Sequence, residues 1–236
     1  ALSEDIDIAL EQRVTVEISG TVVDADATNQ PLSGVKVEIR SYDDPVDVTL
    51  VTQTDAEGQY TFTVPDGCGY RVLTRDYLSE NIPYAQMFYN DDGGSFHWDG
   101  ATPVNVNGES VSGVNFALKQ SGWIEGNVTD AAGNALPYTV VAAIKPGQPD
   151  LRFASVKIDS SGHYQLVVPP GEYGVVAEYH EQLYYPEVWY PNVISRDLAK
   201  QVTVAVGSTT ENIDFWVAPT VNHISGHVLD ENRSEE

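Results

Sequence analysis

"TDAEGQYTFTVPDG", Thr54 to Gly67, recurs without a gap as "IDSSGHYQLVVPPG", Ile158 to Gly171. The match pairs Asp55 with Asp159, Gly58 with Gly162, Tyr60 with Tyr164 and Pro65 with Pro169. After each Asp-x-x-Gly the apolar residues alternate, as in Tyr60, Phe62 and Val64, which is the period-2 signal of a strand with one buried face. The Asp-x-x-Gly itself reads as a tight turn whose glycine takes a left-handed conformation before the strand. A turn feeding a half-buried strand, written twice in one chain, marks a duplicated β module.

Working outward, the same order of motifs surrounds both copies. Upstream stand "ISGTV" at Ile18 to Val22, before Asp24, and "IEGNV" at Ile124 to Val128, before Asp130. Downstream, "YAQMFYN" from Tyr84 aligns on "YPEVWYP" from Tyr185, and Gly108 stands as far before Phe116 as Gly207 before Phe215. A third opening, "ISGHV" at Ile224 to Val228, lies close to the end, while "IDIAL" at Ile6 to Leu10 matches the closing "VNFAL" and "IDFWV". The expected organisation is a last strand of a preceding repeat in residues 1–13 and a first repeat in 14–120. A second repeat in 121–219 and the first strand of a following repeat in 220–236 complete it. The two end strands are expected to be frayed or to pair between molecules, since an unpartnered strand presents open backbone groups. The chain thus reads as part of a longer array.

Alternation recurs in Val35, Val37 and Ile39, no helical periodicity is evident, and Gly- and Asp/Asn-rich turns such as "DAEG", "DSSG" and "DAAGN" separate short runs. The predicted class is all-β, as two tandem antiparallel Greek-key β-sandwiches.

The order Gly-x-Val-x-Asp, then Asp-x-x-Gly-x-Tyr-x-Phe/Leu-x-Val-Pro-x-Gly, then a closing Val-x-Val-x-x-Gly and Ile-Asp-Phe strand resembles the carboxypeptidase regulatory-like domain family. Such domains are similar to the transthyretin-like module beside some metallocarboxypeptidase catalytic domains and to the collagen-adhesin B-type domains of bacterial surface proteins. The resemblance implies a non-catalytic, prealbumin-like sandwich in a secreted or surface protein. It does not bring metallocarboxypeptidase chemistry with it.

Composition narrows the partners. Lys and Arg number 12 against 35 Asp and Glu, a net charge of -23 that repels nucleic acid and anionic lipid. No apolar run approaches the roughly 20 residues of a membrane span, so direct membrane insertion is not expected. Cys68 is the single cysteine, which rules out an intrachain disulfide.

Candidate chemistry is sparse. The histidines His97, His163, His180, His223 and His227 supply no HExxH, and His223 and His227, four apart on a strand, would lie about 13 Å apart. "GESVSG" from Gly108 misses the Gly-x-Ser-x-Gly elbow of serine hydrolases. A Lys36 to Asn115 isopeptide bond is disfavoured, because Lys36 stands between the inward Val35 and Val37. No enzyme, cofactor or metal site is expected. The acidic stretch "NDDGGSFHWDG", with Asp91, Asp92 and Asp99, leaves calcium open but lacks the regular oxygen spacing of an EF-hand loop.

The remaining constellation is aromatic: Tyr84, Phe88, Tyr89 and Trp98 in the first repeat, with Tyr185, Trp189 and Tyr190 in the second. These rings read either as packing that covers the sandwich edge or as a ligand platform, since flat rings bind sugars by apolar contact. The expected function is a non-catalytic spacer, stalk or adhesion segment of a larger secreted or surface protein, extracellular or at the cell surface. A carbohydrate-binding accessory module of a secreted enzyme is the alternative. Expected partners are a polysaccharide or another surface protein.

Overall fold

The computed structural model describes residues 14–42, 48–79, 81–147, 152–179 and 186–218. Both end strands expected from the sequence, and Tyr185, lie outside the described residues.

The first repeat opens on β1 (Thr15–Asp24), followed by β2 (Lys36–Ser41), β3 (Thr49–Gln53), β4 (Gln59–Pro65) and β5 (Gly69–Thr74). It closes with β6 (Met87–Phe88), β7 (Val104–Asn105) and β8 (Phe116–Leu118). One sheet holds β1 between β4 and β8, and the other runs β7-β5-β2-β3 with β6 also on β5. The second repeat follows the same plan through β9 (Gly122–Thr129), β10 (Thr139–Ile144), β11 (Arg152–Lys157) and β12 (His163–Val168). It continues through β13 (Gly171–Tyr179), β14 (Val188–Trp189), β15 (Val202–Val204) and β16 (Phe215–Trp216), with a two-residue strand at Thr209–Thr210 before the last.

Register shows the duplication directly. Gly20 faces Tyr60 across β1 and β4, and Gly126 faces Tyr164 across β9 and β12. Val22 faces Phe116, as Val128 faces Phe215. These last two pairings are parallel, as is that of Trp123 and Ile124 with Thr209 and Thr210, while the other paired strands run antiparallel. After β7 in the second sheet, the chain crosses through residues 106–115 and enters beside β1 in the same direction. Alternation reports which face is buried, so it carries no information on strand direction.

The recurrent motif residues have identifiable tasks. Asp55 accepts from the amides of Glu57 and Gln59, and Asp159 from those of Ser161 and His163, fixing the turn before each strand. Gly58 and Gly162 adopt φ of 72° and 90°, where an L side chain would be strained. Tyr60 and Tyr164 donate their buried hydroxyls to the carbonyls of Val114 and Ile213, pinning the crossover to the opening strand. That close approach explains the glycine of Ile-x-Gly-x-Val: a Cβ at Gly20 or Gly126 would stand 1.9 or 2.2 Å from those same two carbonyl oxygens.

Each sandwich has its own core. Ile18, Val22, Val35, Val37, Ile39, Phe62 and Tyr70 fill the first, and Ile124, Val128, Val141, Leu166, Tyr173 and Phe215 fill the second. Lys36 is exposed between Val35 and Val37, as the alternation requires. No helix among the described residues is long and apolar enough to cross a membrane.

Candidate functional site

The aromatic residues divide between two environments. Phe88 packs on the outer face of the β5 sheet with Leu73 and Ala101, and Trp98 closes over it edge-on, ring centroids 5.8 Å apart. Trp189 occupies the equivalent place in the second repeat, against Ala142, Ile144 and Val176. Phe88 is 7% exposed, Trp189 6% and Tyr84 2%, so these three rings serve as packing. Tyr89, Trp98 and Tyr190 are half-buried and keep an edge toward solvent. Tyr89 leans on Phe116 at 6.2 Å and donates its hydroxyl to Asp91. Among the described residues the rings fall into separate clusters: Phe88 with Trp98, Trp189 by itself, and Tyr84, Tyr89 and Tyr190 against the two main cores.

Tyr84 belongs instead to the joint between the repeats, residues 119–122. Its hydroxyl donates to Asp24 Oδ2 at 2.8 Å, and Gln120 Nε2 donates to the same oxygen at 2.8 Å. The amides of Asp26 and Ala27 cap Asp24 Oδ1, and the Gln120 amide donates to Asp26 Oδ2. Burial alone would push the Asp24 carboxyl up, but the bonds from Gln120, Tyr84 and the two amides outweigh it and hold it below its ordinary value. Burial, then the bond to Asp24, pushes the Tyr84 hydroxyl far upward, so it stays a donor.

Fully buried Ser121 links both sandwiches. Its amide donates to Pro83 O at 2.7 Å, its hydroxyl oxygen accepts from the Ala85 amide, and its carbonyl accepts from Gly207 N at 2.7 Å. A further contact comes from the acidic stretch, which is longer in the first repeat. Phe96 stacks on Phe153 of the second repeat with centroids 4.3 Å apart and planes at 28°. Beside this stack lies a cleft of about 260 Å³ lined by residues including Phe88, His97, Trp98 and Arg152. His97 and Arg152 also border a wider, open cleft of about 710 Å³ with Glu178, Trp189 and Arg196.

Among the described residues, no group of three or more His, Cys, Asp or Glu side chains is placed to hold a metal ion. The acidic loop spends its polar groups internally: Asp92 N donates to Asn90 Oδ1 and Asp91 N to Thr102 Oγ1. The joint network was not anticipated from the sequence. Its sequence signal is the Asp of Gly-x-Val-x-Asp, a position that also marks the repeat.

Residues 17–79 match the carboxypeptidase regulatory-like domain. Comparison with curated proteins finds no match. Among solved structures, the Bacillus anthracis TIE protein is 18% identical with a TM-score of 0.31; the match covers 88% of this chain and 34% of that one, so this chain spans about a third of its length. The minor pilin GBS52 of Streptococcus agalactiae is 12% identical over 90% of this chain and 100% of its own, with a TM-score of 0.31. The shaft pilin SpaA of Lactobacillus rhamnosus GG is 13% identical over 92% and 100%, with a TM-score of 0.32. The family match lies within the first repeat, and the second repeat has the same strand plan and register.

Proposed function

We propose that this chain is a non-catalytic spacer or stalk segment of a larger secreted or surface protein, with repeats at 14–120 and 121–219 held in a fixed relation. The observation that carries the reading is the joint. The three-residue linker between β8 and β9, residues 119–121, would ordinarily restrain two domains only by its length. Here the linker is hydrogen-bonded to both sandwiches through Gln120 and Ser121, and the Phe96–Phe153 stack adds a second point of attachment. Two attachments remove the hinge that one would leave.

Small-angle scattering of the whole chain tests this. A single rigid shape should fit the curve, and Phe96→Ala combined with Gln120→Gly should broaden the distance distribution. A wild-type curve that needs many interdomain angles would sink the stalk reading.

The second reading, a carbohydrate-binding accessory module, draws on the half-exposed edges of Tyr89, Trp98 and Tyr190. Retention on immobilised polysaccharide that falls with Trp98→Ala in a folded protein would favour it. Retention unaffected by that change would remove its structural support.

A further inference from the structure

In a chain of net charge -23, an arginine with no carboxylate partner among the described residues is conspicuous. Arg71, on β5, is only 8% exposed. Its guanidinium carbon lies 4.1 Å from the centre of the Tyr42 ring and 4.3 Å from that of Trp98. Its Nε is buried with no hydrogen-bond partner among the described residues. Buried donors are nearly always paired, so an unpaired one calls for an explanation.

The neighbours deepen the anomaly. Strand register sets Arg40 directly opposite Arg71, which places two cations side by side. Arg40 and Arg75 both bind the buried carboxylate of Glu38, one on each oxygen. Both oxygens of Glu38 are therefore engaged, and among the described residues Arg71 is the cation of this trio left over. The second repeat has no equivalent, since Gly174 stands opposite Ile144 where Arg71 stands opposite Arg40. The arrangement is particular to the first repeat and is not required by the sandwich.

We propose that Arg71, flanked by Tyr42 and Trp98, anchors a binding slot for a carboxylate carried on a sugar ring, a uronic acid. Stacking between two aromatic rings holds the guanidinium rigid and leaves its in-plane N–H groups as its polar donors, the groups through which arginine binds a planar carboxylate by two parallel bonds. The ring edges of Tyr42, 48% exposed, and of half-buried Trp98 supply the apolar contact that a pyranose face uses. A monoanion suits this protein better than a phosphate dianion, because the surrounding acidic field opposes each added negative charge. The slot is independent of the spacer role, which rests on the joint.

The test is a titration of the whole chain with glucuronate, glucose and inorganic phosphate in separate arms, followed by NMR at the Arg71 Nε–H and the Trp98 indole N–H. Glucuronate should shift both signals saturably and glucose should not. Arg71→Lys keeps the charge but loses the paired bonds, and should weaken glucuronate binding at least tenfold. Tyr42→Ala, at an exposed ring, should weaken it several-fold in a folded protein, and serves if Arg71→Lys does not fold. Four results would overturn the proposal: no saturable shift with glucuronate, an equal response to glucose, tighter binding of phosphate, or unchanged affinity in Tyr42→Ala. A response appearing only after Asp43, Asp44 and Asp47 are changed to Asn would also overturn it, by showing that the chain supplies its own carboxylate.

Discussion

Asp24 and Asp130 occupy the same place in the repeat motif, so substituting each by alanine asks whether the joint network is structural. Asp24→Ala removes the acceptor shared by Tyr84 and Gln120 and the cap on the amides of Asp26 and Ala27. The amides are near enough to solvent to take water. The Tyr84 hydroxyl, on a residue 2% exposed, is not. One buried donor left unpaired costs about 1–3 kcal/mol, and the lost bond from Gln120 adds about 1, giving a loss of about 2–4 kcal/mol. For a domain of this size that lowers the first repeat's Tm by about 8–30 °C. Among the described residues the Asp130 carboxylate accepts from groups of its own turn, such as Ala132 and Asn134, so Asp130→Ala should cost much less. Differential scanning calorimetry resolves the two transitions. The pH dependence provides a second readout. Because the Asp24 carboxyl is held below its ordinary value in the fold, its contribution is complete above the unfolded value near 4 and is lost as pH falls through the lower folded value. The stability difference between wild type and Asp24→Ala should therefore shrink below about pH 4. Equal losses in the two variants, or a difference that stays constant down to pH 2, would refute the reasoning.

Gly126→Ala places a Cβ 2.2 Å from the Ile213 carbonyl oxygen and should destabilise the second repeat by about 1–3 kcal/mol or more, read by urea unfolding. A double-mutant cycle of Phe96→Ala and Phe153→Ala should give a coupling of about 0.5–1.5 kcal/mol across the repeats, and a coupling near zero would mean that the stack does not join them. Trp189→Ala should cost about 3–5 kcal/mol in thermal unfolding, since the ring is 6% exposed, and a fully stable variant would contradict its packing role. Chelator should leave both Tm values unchanged, because no described cluster is placed to hold a metal; a drop above about 5 °C would point to a cation site.

Sequence alone determined the class and the duplication, because both are written in local chemistry. Alternation at Tyr60, Phe62 and Val64 follows from the two-residue period of a strand, and the turn of Asp55 and Gly58 is closed by bonds within five residues. Recurrence of these signals in the same order needs no knowledge of where strands meet. The task of Gly20 was different: it depends on the approach of Val114, far along the chain, and no local pattern announces such a contact. Likewise, the parallel entry of β8 beside β1 depends on a crossover between sheets, to which burial alternation is blind. The rings at Tyr84, Phe88 and Trp189 illustrate the same limit, since an aromatic residue that covers a sheet and one that faces a ligand have the same chemistry until burial separates them. The two arrangements on which the proposals rest, the Asp24–Tyr84–Gln120 joint and the Arg71 guanidinium between Tyr42 and Trp98, each assemble residues from separate strands and loops. Their energetics come from long-range contact in a buried setting, where unpaired polar groups are costly, and only the tertiary structure decides which groups share it.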